Sequence, residues 1–105
     1  MAEYSLVYIT TTDKEEARKI GRELVESRLA ACVNILDGME SIYRWEERIC
    51  SENESVLIAK TKAVLLPELI EKVKSIHSYD CPCIIALPLQ DGYSPFLEWI
   101  GAETR

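Results

Sequence analysis

Apolar and polar residues alternate along the chain in a way that predicts strands and helices in turn. Residues 4–11 are rich in β-branched and aromatic types, which is typical of a short, largely buried strand. Thr12 and Glu15 then fit a capping box, which predicts the start of a helix. Apolar residues three and four positions apart predict that this helix is amphipathic; they are Ala17, Ile20, Gly21, Leu24, Val25 and Leu29.

Two long extended segments come next and predict a β-hairpin. They comprise residues 31–45 and 48–61 and are joined at Glu46 and Glu47. Gly38 predicts a bulge in the first arm. Residues 51–54, Ser-Glu-Asn-Glu, predict a solvent-facing and irregular stretch in the second arm.

A second helix, a fourth strand and a short last helix complete the pattern. Pro67 suits the first turn of the second helix, which should end near residues 78–80 because Pro82 disfavours helical backbone before it. Residues 83–89 predict a strand, and Ser94 and Pro95 predict the cap and first turn of the last helix. The inner face of the second helix is expected to carry Leu66, Leu69, Ile70, Val73 and His77.

The element order β-α-β-β-α-β, with a helix after it, predicts an α+β, ferredoxin-like sandwich whose second and fourth strands are the sheet edges. Each extended hairpin arm would run roughly 45–50 Å, whereas a compact globule of this size is only about 35 Å across. The hairpin tip should therefore extend beyond the core. An extended edge bearing Tyr43 and Trp45 needs a cover, which predicts a closed homo-oligomer.

The composition of the chain argues against some classes of binding partner. The 105 residues predict one domain, 1–105, and the net charge of −6 disfavours nucleic acid and anionic membranes. No apolar run reaches the ~20 residues that span a bilayer, and no export signal is recognisable, so we expect a cytoplasmic protein. In that reducing compartment the four cysteines are expected to be reduced and buried, with Cys50 the most exposed of them.

One cluster has the chemistry of a metal site. His77, Cys81 and Cys83 offer imidazole and thiolate, a set suited to zinc or copper(I). The alternative is that both cysteines are core residues on one face of the fourth strand, since only Asp80 is at hand as a fourth ligand.

A second candidate site is a cleft that an oligomer would form between subunits. Lys60, Tyr79, Trp45 and Cys32 are its predicted residues, and a small anion is its predicted ligand. The alternatives are helix capping by Tyr79, ion pairing by Lys60 and an interface anchor at Trp45.

The sequence resembles the CutA-type divalent-cation tolerance proteins from about Tyr4 to Thr104. The matching segments are residues 28–34 (RLAACVN), 41–46 (SIYRWE), 58–61 (IAKT), 77–82 (HSYDCP), 85–88 (IALP) and 96–100 (FLEWI). The resemblance implies a ferredoxin-like homotrimer that acts in tolerance of copper and other divalent cations. It also implies metal ligands at the positions of Ile9, Ile76 and His77, of which only His77 can ligate here, and glycine where Glu47 stands.

Together these observations favour a cytoplasmic, non-enzymatic homotrimer in divalent-cation tolerance that binds copper or zinc weakly. The alternative is a trimer that senses a small molecule, or acts as an adaptor, through its inter-subunit cleft. The sequence has no Gly-rich phosphate loop, nucleophile elbow or EF-hand loop, which argues against nucleotide, acyl-transfer and calcium sites.

Overall fold

The computed structural model describes residues 3–105 and confirms the predicted element order. A 3₁₀ turn, Ala63–Leu65, precedes the second helix. The elements are β1 (Tyr4–Thr11), α1 (Lys14–Glu26), β2 (Cys32–Trp45), β3 (Arg48–Lys62), α2 (Leu66–Ile76), β4 (Ile84–Pro88) and α3 (Ser94–Glu103).

The four strands form one antiparallel sheet in the order β2-β3-β1-β4. The predicted edges, β2 and β4, are therefore confirmed. Pro88 ends the edge strand β4, a position where its missing amide costs no central ladder bond.

The core lies between one face of the sheet and helices α1 and α2. Val7 and Ile9 alternate along β1 and are fully buried, as period-two side chains on an inner face should be. The buried apolar residues that meet there are Val7, Ile9, Ala17, Ile20, Leu24, Leu29, Ala30, Leu57, Ala59, Leu69 and Val73.

The other face of the sheet is apolar and open. In β4, Ile85 and Leu87 are more than half exposed, at 56% and 57%. They lie opposite Tyr8 and Leu6 of β1, which point away from the core residues Val7 and Ile9. A chain taken alone thus leaves the β4 part of this face exposed.

The hairpin of β2 and β3 makes the molecule long, with extents of 44 × 25 × 23 Å. Gly38, with a φ of 76°, lies at the predicted bulge, where the register shifts between Leu36 and Met39. The two residues of the turn, Glu46 and Glu47, have φ values of 48° and 66°, as a primed hairpin turn demands. The prediction of an irregular stretch was wrong, because residues 51–54 continue the ladder.

Three helix ends differ from their predicted positions by one or more residues. The cap of α1 is Asp13, whose carboxylate accepts from the Glu16 amide at 2.8 Å, instead of Thr12 paired with Glu15. Helix α2 ends at Ile76, so His77 has extended backbone. Ser94 is the first residue of α3 and not its cap.

Candidate functional site

An open groove of about 580 Å³ lies where the hairpin faces the segment between α2 and β4. It has three cysteines and three carboxylates, and none of the described residues that line it is Lys or Arg. We call it the thiol groove; its lining is Thr10, Ser41, Tyr43, Trp45, Cys50, Glu52, Glu54, Tyr79, Asp80, Cys81 and Cys83.

One wall of the thiol groove is a single face of β3. Cys50, Glu52 and Glu54 are two residues apart, so a regular strand projects all three to the same side. On β2, Tyr43 lies directly opposite Cys50 in the hairpin register and joins the same wall. The regular ladder through residues 51–54 therefore creates this wall.

The other wall is the segment from Tyr79 to Cys83. The Tyr79 hydroxyl donates to Glu54 Oε2 at 2.7 Å, which joins the two walls. Burial, together with this bond to a carboxylate, raises the pKa of Tyr79, so its phenol is protonated at neutral pH. A matching bond from the Tyr43 hydroxyl to Glu52 raises the pKa of Tyr43 to about 12.

The His77 side chain is fully buried beside the groove and does not line it. Its Nδ1 lies 3.0 Å from the Tyr79 amide, which can only donate, so Nδ1 accepts. In the neutral ring the proton is then on Nε2, which donates to the Thr10 carbonyl at 2.7 Å. Both nitrogens are thus engaged with backbone, and the ring has no free lone pair to offer a metal.

Glu16 holds the segment after α2 against the start of α1. Its carboxylate accepts from the Thr12 amide at 3.0 Å and from the Ser78 amide at 2.7 Å. Burial opposes ionisation of this group, but the bonds from the Thr12 and Ser78 amides outweigh it, so the pKa of Glu16 is lowered.

The four residues predicted for an inter-subunit cleft lie in two different places within one chain. Trp45 and Tyr79 line the thiol groove. Lys60 is elsewhere, with its Nζ 3.6 Å from Cys32 Sγ and hydrogen-bonded to Asn34 Oδ1. Within a subunit, the predicted cation therefore does not reach the predicted aromatic residues.

The solvent exposure of the four cysteines differs from the prediction. All four are free, but none is buried, and Cys81 rather than Cys50 is the exposed one. Cys81 and Cys83 precede β4, which begins at Ile84, so the interpretation of both as core residues of that strand was wrong.

The predicted metal set of His77, Cys81 and Cys83 stays a prediction. In residues 3–105, no three His, Cys, Asp or Glu side chains are gathered closely enough to hold a metal ion. Cys81 and Cys83 line the thiol groove, whereas His77 is engaged behind it.

Sequence reasoning noted Glu52 and Glu54 as hairpin carboxylates that could attract cations weakly, but it did not bring them together with Cys50 in one groove. The available signal was their period-two spacing on the second hairpin arm. That signal was hidden by the interpretation of residues 51–54 as irregular. Their approach to Tyr79 and Cys81, some thirty positions away in the chain, depends on how the elements pack.

Solved structures of high similarity share this fold over nearly the whole chain. The divalent cation tolerance protein from Thermus thermophilus has a TM-score of 0.95 and 43% identity, covering 97% of this chain and 99% of that one. CutA1 from Oryza sativa has a TM-score of 0.96 and 41% identity, covering 99% and 95%.

Curated relatives agree at the level of sequence. The chloroplastic protein CutA of Arabidopsis thaliana is 44% identical over 95% of this chain, which covers 55% of the relative. The chain spans about half the length of this and other plant and animal relatives. The divalent-cation tolerance protein CutA of Thermus thermophilus is 44% identical over 94% of this chain, which covers 96% of that relative.

No helix within residues 3–105 is long and apolar enough to cross a membrane. The family model described as CutA1 divalent ion tolerance protein matches residues 5–103. The chain belongs to the CutA1 divalent ion tolerance protein family.

Proposed function

We propose that the protein acts in tolerance of divalent cations and that it binds them in the thiol groove. The observation that carries this proposal is the lining: Glu52, Glu54 and Asp80 bring negative charge to a concave surface on which no described Lys or Arg lies. A low-dielectric wall focuses that field and raises the local concentration of cations. The same charge makes the small anion predicted from sequence a poor ligand.

The donors in this site are carboxylates and thiols, with copper or zinc as the ions they suit. Cys81 and Cys83 are retained from the predicted ligand set, since both line the groove. His77 enters as a positioning residue, because its ring fixes Thr10 and Tyr79 at the edge of the groove. Binding without a closed set of four ligands is expected to be weak.

The working form in this proposal is a homotrimer. Support comes from the open sheet face with Ile85 and Leu87 and from the exposed hairpin residues Ile42 and Ile49, which are 71% and 66% exposed. Apolar patches of this kind on a small domain mark interfaces. The solution mass is expected to be three times 12.0 kDa.

The protein is proposed to act by binding and without catalysis, in the cytoplasm. Its one histidine has both nitrogens in hydrogen bonds with backbone, which leaves no free imidazole base. The four free thiols fit a reducing compartment. Relatives are named chloroplastic in Arabidopsis and periplasmic in Archaeoglobus fulgidus, so the compartment is testable by fractionation of the native host.

Titration calorimetry with zinc and copper(II) tests the groove. We expect the double variant Glu52→Gln/Asp80→Asn to bind about tenfold more weakly, because two charges within a few ångströms of the ion are lost. The matched control is Glu98→Gln/Glu103→Gln on α3, which removes the same charge outside the groove. Equal affinities for the two double variants would overturn the proposal.

A second candidate function is small-molecule sensing through the same groove. Its volume of about 580 Å³ is that of a ligand pocket, and Trp45 and Tyr79 supply aromatic surface. Thermal-shift screening with small organic cations and carboxylates separates the two candidates. A shift with an organic cation in the absence of metal would favour sensing.

A further inference from the structure

We propose that an open pocket between α1 and the edge strand β2 binds a free apolar amino acid as its zwitterion. Arg18 and Arg22 hold the carboxylate of the ligand, and Glu26 holds its ammonium group. We call this cavity the helix pocket; these three residues line it together with Gly21, Val25, Val33 and Ile35. It shares no lining residue with the thiol groove, so it does not depend on the proposed function.

The helix pocket has the size and the floor of a site for a small ligand. Its volume is about 350 Å³, at the lower end of the range of about 300–1,000 Å³ that is usual for ligand pockets. Val33 and Ile35 are two residues apart on β2, so both project towards α1 and the core. Val25 is 39% exposed and adds apolar surface from the helix. An apolar ligand side chain is therefore expected to bind on this floor.

Gly21 allows α1 to lie directly against this floor. A Cβ at that position would be only 2.8 Å from Cγ2 of Val33, closer than packed atoms approach one another. Arg18 and Arg22 line the same cavity and are exposed, so an ion can reach them from solvent. The close approach of helix and strand therefore places charged side chains beside an apolar surface.

The three charged residues of the helix pocket follow one another at intervals of four along α1. Side chains at this spacing lie on one face of a helix, one turn apart. The ion pairs within residues 3–105 include none of Arg18, Arg22 and Glu26. Asp37, which Arg18 stabilises at longer range, accepts from Ser55 Oγ at 2.6 Å instead. Two guanidinium groups and one carboxylate are thus available to a ligand.

The order of these charges selects the class of ligand. Guanidinium groups bind carboxylates through paired hydrogen bonds, which assigns the carboxylate of the ligand to Arg18 and Arg22. The Glu26 carboxylate repels a simple anion but attracts an ammonium group, and an α-amino acid carries both groups on one carbon atom. Such a ligand has no net charge, so the net charge of −6 on the chain does not repel it. The apolar floor favours leucine and similar amino acids over polar ones, whose side chains would lose hydrogen bonds to water.

Titration calorimetry with L-leucine and with isocaproate tests the helix pocket, because isocaproate is leucine without its amino group. We expect wild type to bind leucine about tenfold more tightly than isocaproate, and Glu26→Gln to remove that difference. Arg18→Gln/Arg22→Gln is expected to weaken the binding of both ligands by about tenfold. The matched control is Lys19→Gln/Lys74→Gln, which removes the same charge from helix positions outside the helix pocket and should leave both affinities unchanged.

Methyl chemical shifts of Val33 and Ile35 should change when leucine binds, and a change confined to the thiol groove would overturn the assignment of the site. No leucine binding to wild type at millimolar concentration would overturn the whole proposal. So would equal affinities of Arg18→Gln/Arg22→Gln and its control. Isocaproate that binds wild type as tightly as leucine would refute the role of Glu26 and with it the zwitterion as ligand.

Discussion

At the scale of single residues, Glu16 joins two parts of the chain that are 62 positions apart. Its carboxylate receives amide hydrogens from Thr12 at the start of α1 and from Ser78 after α2. The Ser78 contact is adjacent to His77, whose ring holds Thr10 and Tyr79. One ionised side chain thus helps to place the segment that carries Tyr79 and the two groove cysteines.

This arrangement predicts a pH-dependent contribution to stability. The pKa of Glu16 in the folded chain is lowered from its usual 4.5, so the stabilisation is present above that value and is lost as the pH falls through the folded pKa. We expect Glu16→Gln to be less stable than wild type at about pH 7, with the difference shrinking below about pH 4.5. Urea unfolding midpoints at fixed chain concentration measure it.

Glu15→Gln is the control for this comparison. Glu15 is exposed in the same turn of α1, so its replacement changes the same net charge without removing the Thr12 and Ser78 bonds. A stability difference for Glu16→Gln that stays constant down to about pH 3 would contradict the assigned role.

At the scale of elements, the hairpin turn combines two non-glycine residues with positive φ. Left-handed backbone costs an L-residue about 1–2 kcal/mol, a cost that glycine avoids. The greater conformational freedom of glycine in the unfolded chain lowers the free energy of unfolding by about 0.4–1 kcal/mol. Glu47, with a φ of 66°, is therefore a site where glycine should help. We expect Glu47→Gly to raise the free energy of unfolding by about 0.5–1 kcal/mol, measured by urea denaturation.

The matched control is Arg44→Gly, on the same hairpin in a regular ladder position opposite Ile49. There glycine brings only its entropic cost, so stability should fall by about 0.5–1 kcal/mol. A loss of stability in both variants would show that the positive φ of Glu47 carries no strain.

The elements themselves were predictable from sequence, and the exact ends of some of them were not. Thr12-x-x-Glu15 and Asp13-x-x-Glu16 are overlapping capping patterns, and local chemistry does not choose between them. The choice depends on remote contacts: the buried Thr11 hydroxyl donates to the Asp13 carbonyl, and Ser78 donates to Glu16. The groove has the same origin, since Cys50 and Cys81 come to line one groove only after the hairpin packs beside β1.

At the scale of the whole molecule, the single chain leaves apolar side chains of β4 exposed on the sheet face opposite the core. Alternation in β4 places Ile84 against the core and Ile85 and Leu87 on the opposite face, where each is more than half exposed. This face and the 44 Å length of the molecule are the structural reasons to expect association with further copies of the chain. They also explain why a domain of this size, with modest burial of its own, would gain stability by association.

The Leu87→Asp variant tests whether the chain assembles through this face without changing whether it folds. Leu87 is 57% exposed in the single chain, so the fold should tolerate aspartate, whereas a buried interface should not accept its charge. Light scattering is expected to give the mass of one chain for Leu87→Asp and of three chains for wild type. Val64→Asp, at a position that is 79% exposed in the 3₁₀ turn, is the control and should remain a trimer. Because association couples to unfolding, the Tm of wild type should rise with chain concentration and that of Leu87→Asp should not. A wild-type mass of one chain, or a trimeric Leu87→Asp, would refute assembly through this face.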